Sequence, residues 1–220
     1  MALLYLVRHG ETDWNSENRW QGHHDRPLSG LGRSQAAAVA RRLAGERLTQ
    51  VYSSDLKRAW ETAQIIAEAC GLDACADHAL REVDVGNWAG LTRAEAKERF
   101  PEAYARRRAG GTGWDDGETY EQMGGRVSAY VTRLLDGTGG SERIALVCHS
   151  GVIRALVAHA VGIGLADRSR IGGHQHGAVS VLRVRKGKWS LRVYNDACHL
   201  HADHDSWTSS EGLTPHAAEQ

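Results

Sequence analysis

At 220 residues the chain has the length of one domain with a single substantial core, and its 27 Lys and Arg residues are matched by 27 Asp and Glu. That balance leaves no basic footprint for nucleic acid or for an anionic membrane surface. No apolar run approaches spanning length, and the start of the chain lacks an export leader, so a cytoplasmic protein with no membrane or nucleic-acid partner is expected.

The first predicted element is a strand. Ala2-Leu3-Leu4-Tyr5-Leu6-Val7 is unbroken and apolar, as in a strand buried on both faces, and it stops at Arg8-His9-Gly10. In an open α/β sheet ligands sit beyond the carboxyl ends of such strands, and Gly10 would let the backbone turn sharply and approach one. Trp14 to Pro27 reads as a long polar loop over that crevice, with His23 and His24 facing solvent. Ser29 caps a helix with Ala36, Val39, Ala40 and Leu43 on one face, ending near Gly45. A strand follows around Thr49 to Ser54, then a helix starting at Ser54 or Asp55, whose first turn carries Arg58.

Glu82 falls next, in a Gly-bounded loop. From Thr92 to Leu135 the pattern is helical: Thr92 with Glu95 and Thr119 with Gln122 read as capping boxes, and Met123, Val127, Tyr130, Val131 and Leu134 form a stripe. Arg106-Arg107-Arg108 reads as a solvated face, with a grip on an acidic substrate as the alternative, and Gly110 to Gly117 as a flexible loop in which Trp114 serves as a substrate lid. A second apolar strand, Arg143 to Cys148, ends in His149-Ser150-Gly151 before a helix whose free N–H groups suit an anion. The loop Gly172 to Gly177 carries His176 toward the pocket. Strands around Val179 and Val193 then form a hairpin at one sheet edge, along which a second copy can pair as a homodimer. The core is expected to span residues 1–200, with 201–220 a mobile tail lacking apolar periodicity. Cys70, Cys75, Cys148 and Cys198 are expected as ordinary thiols, since a single C-x4-C pair is poor ground for zinc.

Two histidines at strand ends, two arginines and a glutamate make sense together for phosphoryl transfer. Planar guanidinium groups match the oxygens of a phosphate that carries about two negative charges. A neutral imidazole can take the phosphoryl group covalently, a second can donate to its oxygens, and Glu82 can protonate the departing alkoxide. No metal and no cofactor is required. These arguments do not choose between His9 and His149 as nucleophile.

Arg8-His9-Gly10-Glu11-Thr12 resembles the signature of the histidine phosphatase superfamily, in its phosphoglycerate-mutase-like branch. Asn15, the stretch Gln21-Gly22 to Asp25 and Leu28-Ser29, Ser53 to Ala59, Leu80-Arg81-Glu82, Gly86 to Leu91, and Val147 to Gly151 follow in that family's order. The resemblance implies a three-layer αβα sandwich with a mostly parallel central sheet. It implies that His9 becomes phosphohistidine, with Arg8, Arg58 and His149 completing the phosphate pocket and Glu82 acting as acid. Asn15, Gln21, Gly22, Ser150, Gly151 and His176 would line the pocket around them. The expected activity is metal-independent hydrolysis of a small phosphorylated metabolite, of the sugar phosphate or glucosyl-phosphoglycerate type. The alternatives are a bisphosphoglycerate-dependent mutase, disfavoured because Leu80 to Gly86 departs from the mutases' sequence around the acid, and a non-catalytic binder of phosphorylated ligands.

Overall fold

The opening run forms strand β1 (Ala2–Arg8), and five more strands join it: β2 (Gln50–Ser53), β3 (Ala74–Ala76), β4 (Arg143–Cys148), β5 (Val179–Arg185) and β6 (Lys188–Asp196). They make one sheet in the order β3-β2-β4-β1-β5-β6 in a computed structural model that describes residues 1–111, 113–136 and 141–201. From β3 to β1 the neighbours run parallel; β5 is antiparallel to both β1 and β6. From residue 202 onward the expected tail lies outside the described residues.

The helices are α1 (Asp13–Ser16), α2 (Gly30–Ala44), α3 (Lys57–Cys70), α4 (Arg93–Arg99), α5 (Pro101–Arg108), α6 (Tyr120–Asp136) and α7 (Ser150–Val161). Strand alternation sorts them into two layers. Tyr5 and Val7 of β1, with Ala145 and Val147 of β4, pack on Val39, Leu43, Ala63 and Ile66 of α2 and α3. Leu4 and Leu6, with Ile144 and Leu146, pack on Met123, Val127, Ile153 and Leu156 of α6 and α7. Each such burial contributes roughly 1.5–3 kcal/mol, which is why an unbroken apolar strand is stable only between two helical layers. The expected α/β sandwich is observed.

Several boundaries differ from expectation for definable reasons. Helix α3 begins at Lys57 because the Asp55 carboxylate is held bidentately by Arg81, at 2.7 and 2.5 Å, while Asp25 from the preceding loop accepts the Lys57 N–H at 2.7 Å. The hairpin lies at one end of the sheet as expected, but its two strands are not equivalent: β5 lies inside the sheet with its first four residues buried, and β6 forms the outer edge on that side. Trp114 is no lid. It is 3% exposed, packs edge-on to Trp88 and Trp20, and donates its Nε1–H to the Glu118 carbonyl, because the 113–118 turn folds its aromatic ring into the core. Gly10 has no left-handed backbone. Its glycine is required by close approach, since a Cβ there would lie 2.2 Å from the Gly32 carbonyl oxygen.

Candidate active site

Parallel pairing of the two central strands brings the two histidine motifs together. Arg8 is in register with Cys148, so His9 follows β1 where His149 follows β4; the His9 N–H donates to the Cys148 carbonyl at 3.1 Å and the two rings lie 5.0 Å apart. Arg58, in the first turn of α3, reaches the same edge and is 1% exposed. Its guanidinium donates to the Gly22 carbonyl at 2.8 Å and the His24 carbonyl at 2.9 Å. Arg8 donates to the His174 carbonyl.

These residues line a cleft of about 380 Å³ that also takes in Asn15, Gln21, Gly22, Glu82, Ser150 and Gly151. His176 borders the adjoining 300 Å³ cavity; its Nδ1 lies 3.3 Å from the His9 carbonyl oxygen and its ring 5.3 Å from that of His9. Every sequence-derived candidate therefore sits at this one edge of the sheet.

The electrostatics follow from burial. The His9 Nδ1 is 2.7 Å from the Gly10 carbonyl oxygen, so Nδ1 carries the ring proton and Nε2 holds the lone pair. Burial above all, then Arg58, His149, His176 and Arg8, holds the His9 pKa well below 6.5. Burial followed by Arg58 and Arg8 does the same to His149, both of whose ring nitrogens lack a partner among the described residues. Arg8 and Arg58 are lowered to about 10 by burial against the opposing pull of Glu82, and both stay cationic at neutral pH. Burial also lifts the Cys148 thiol far above its usual range, so this neighbour of His149 is an inert core residue.

Glu82 is held by backbone donors. Its carboxylate accepts the Val83 N–H at 2.9 Å and the Gly151 N–H at 3.0 Å. The start of α7, expected to face a phosphate, thus gives one of its N–H groups to Glu82. Residue 151 must be glycine for this, because a Cβ would stand 2.1 Å from Glu82 Oε1. Asn15 closes a capping box with Thr12, and Gln21 donates to the Thr12 hydroxyl at 2.8 Å with its own Oε1 buried and unpartnered among the described residues.

The sequence left several lining residues unassigned. Arg19, Arg93, Arg107 and Arg154 bring the lining to six arginines against one carboxylate, Glu82. Arg107 corrects the expectation of a solvated face: its guanidinium lies 5.6 Å from the Trp20 ring and 5.5 Å from the Tyr120 ring, while only Arg106 and Arg108 remain exposed. Arg154, four residues past Ser150, lies on the same helical face, a spacing that could have flagged it. His23 is not solvent-facing but half-buried, with Nε2 2.8 Å from the Glu82 carbonyl oxygen. His174 is 2% exposed and bonded to the Ser180 hydroxyl at 2.9 Å; nothing in its glycine-rich surroundings signalled burial.

Fold and site together define an α/β protein whose strand ends gather buried arginines and uncharged imidazoles at one cleft. The chain belongs to the histidine phosphatase superfamily, branch 1, whose family model matches residues 4–197. It is 42% identical to phosphoglycerate mutase-like protein 4 of Arabidopsis thaliana, over 90% of this chain and 87% of that one. It is 36% identical to a metal-independent phosphoserine phosphatase of the same plant, covering 90% and 82% of the two chains. Among solved structures, a mycobacterial glucosyl-3-phosphoglycerate phosphatase superposes with a TM-score of 0.83 at 33% identity, covering 89% of this chain and 99% of that one.

Proposed function

We propose that this chain is a metal-independent phosphomonoester hydrolase of the cytoplasm that passes the phosphoryl group of a small phosphorylated acid through His9. The observation that carries this reading is the state of His9: a buried, uncharged ring whose proton is fixed on Nδ1 by Gly10, leaving Nε2 nucleophilic among cations. Nε2 attacks phosphorus and the bond to the leaving oxygen breaks, its electron pair going to that oxygen, which takes a proton from Glu82. Arg8, Arg58 and His149 meet the equatorial oxygens as charge spreads over them. Water then attacks the phosphohistidine, gives its proton to the Glu82 carboxylate and releases inorganic phosphate. Asn15, Gln21, Gly22, Ser150, Gly151 and His176 shape the walls around these groups.

The acidic leaving group is inferred from charge. A phosphate of about two negative charges is matched by Arg8 and Arg58. Arg19 is already paired with Glu17 and Glu95, whereas Arg93, Arg107 and Arg154 line the cleft with no carboxylate partner among the described residues. A second anionic group on the substrate, a carboxylate in the first instance, fits that excess. The names of the phosphoserine and glucosyl-3-phosphoglycerate phosphatases support it, both substrates being phosphorylated acids.

The test is phosphate release from a panel of phosphorylated metabolites in the presence of EDTA, with 3-phosphoglycerate plus a trace of bisphosphoglycerate assayed for isomerisation. Release from phosphorylated acids, with EDTA present, is expected. Isomerisation without release would make the chain a mutase, as the name of the 42% identical relative suggests. Inactivity in both assays would leave a non-catalytic binder.

A further inference from the structure

Three consecutive residues tie two parts of the cleft together. The carbonyls of Gly22 and His24 accept hydrogen bonds from Arg58, and the side chain between them, His23, reaches the opposite way so that its Nε2–H donates to the Glu82 carbonyl at 2.8 Å. The same carbonyl accepts a second hydrogen bond, from Arg126 on α6, also at 2.8 Å. Arg126 is itself immobilised. It holds Glu118 bidentately at 2.7 and 2.8 Å and donates to the Ala79 carbonyl at 2.8 Å, with only 22% of its side chain exposed. Four of the five guanidinium N–H donors are thereby committed.

Glu82 lies in none of the helices or strands, so no ladder of backbone bonds fixes it. Its carbonyl is filled on both lone pairs by side chains from two separate elements, and its carboxylate is pinned by Val83 and Gly151. We propose that His23 and Arg126 are positioning residues for Glu82, bracing the backbone from which the carboxyl group is aimed at the leaving-group oxygen. Because His23 is flanked by the two carbonyls that hold Arg58, the brace also sets the distance between the phosphate clamp and the proton donor. The inference rests on the reading of Glu82 as the acid. It matters because a displacement of about 1 Å at a reacting group can cost about 10²-fold in rate.

The experiment measures kcat/KM, which reports only the steps up to the phosphohistidine, for an alkyl phosphate and an aryl phosphate. An alkoxide needs protonation to depart; a nitrophenolate needs far less. His23→Ala and Arg126→Lys should lose roughly tenfold or more on the alkyl ester and less than about threefold on the aryl ester. His23→Gln, which restores an N–H donor, should recover most of the loss. On a Glu82→Gln background neither substitution should cost anything further, as expected for groups acting through one residue. Equal losses on both esters, or full additivity with Glu82→Gln, would overturn the proposal. Should Glu82→Gln alone slow both esters equally, the assignment of Glu82 as acid fails first, and the two failures remain distinct. His23 is half-buried at the surface and its alanine variant should fold, so the test stands even where Arg126→Lys is unstable.

Discussion

The two ends of the cleft are built differently. At the phosphoryl end His9, Arg58 and His149 are buried to within 4% and hang from the ends of adjacent strands or the first turn of a helix, each fixed by the sheet or by backbone carbonyls. At the far end Arg19, Arg93 and Arg107 come from the loop after α1 and from the short helices α4 and α5; Arg93 is exposed, Arg19 and Arg107 are only partly covered, and Arg107 leans on the rings of Trp20 and Tyr120. A rigid end suits a group common to many substrates; an adjustable end suits the part that differs. Substitutions should therefore act in opposite ways at the two ends.

The largest effect is expected at the rigid end. His9→Ala should reduce turnover by about 10⁴-fold or more while circular dichroism and thermal midpoint stay close to wild type, because the side chain sits past the strand and its loss removes a nucleophile rather than a core contact. Acid-labile labelling by a phosphoryl donor should vanish with it. An active His9→Ala protein would sink the phosphohistidine mechanism. Next comes Arg58→Lys, expected to cost about 10²-fold or more in kcat with any substrate, since an ammonium cannot span two carbonyls and still present a planar face to phosphate oxygens. A loss confined to one substrate would place Arg58 at the variable end instead.

At the adjustable end the expected change is smaller and selective. Arg107→Met should raise KM about tenfold for phosphorylated acids such as phosphoserine, the worth of one charge-assisted hydrogen bond. It should leave an uncharged-leaving-group ester such as glycerol phosphate within about twofold. Equal effects on both would remove Arg107 from substrate recognition and end the distinction drawn between the two regions.

That distinction also explains what could be read from sequence. Arg8, His9 and His149 were legible because an apolar run that stops at a charged residue defines a strand terminus, and parallel strands align their termini. Arg58 was legible because a helix that follows such a strand starts at the same edge. Arg107 was legible only as the less favoured reading of its arginine run and Trp114 not at all, for the same reason: α5 and the 113–118 turn have no strong periodicity, so their side chains are oriented by contacts with Trp20, Trp88 and Tyr120 rather than by a helical stripe. His23 was misjudged because its partner is a backbone carbonyl, which leaves no trace in residue type. Asp25 acting as the cap of α3 is a third case of a long-range contact replacing the local one that the sequence suggested.

A dependence of stability on pH between 7 and 5 should come from the buried histidines of the rigid end. In the unfolded chain a histidine titrates near 6.5. Burial, as the largest cause in each case, holds His9 and His149 well below that value, His174 at about 4 and His176 at about 3. Between the folded and unfolded values the unfolded state binds more protons, so the stability these rings contribute is fully present above pH 6.5 and is lost as pH falls toward 4 and 3. Each ring adds a slope of at most about 1.4 kcal/mol per pH unit within its window. Calorimetry between pH 7 and 5 should show the thermal midpoint falling, less steeply in a His176→Asn variant. Saturating inorganic phosphate should flatten the fall, because an anion among these rings favours their protonated forms and narrows the gap from the unfolded chain. A midpoint that holds constant from pH 7 to 5 would mean that the rings are as free to protonate in the folded protein as outside it, and the rigid end would then be no drier than the adjustable one.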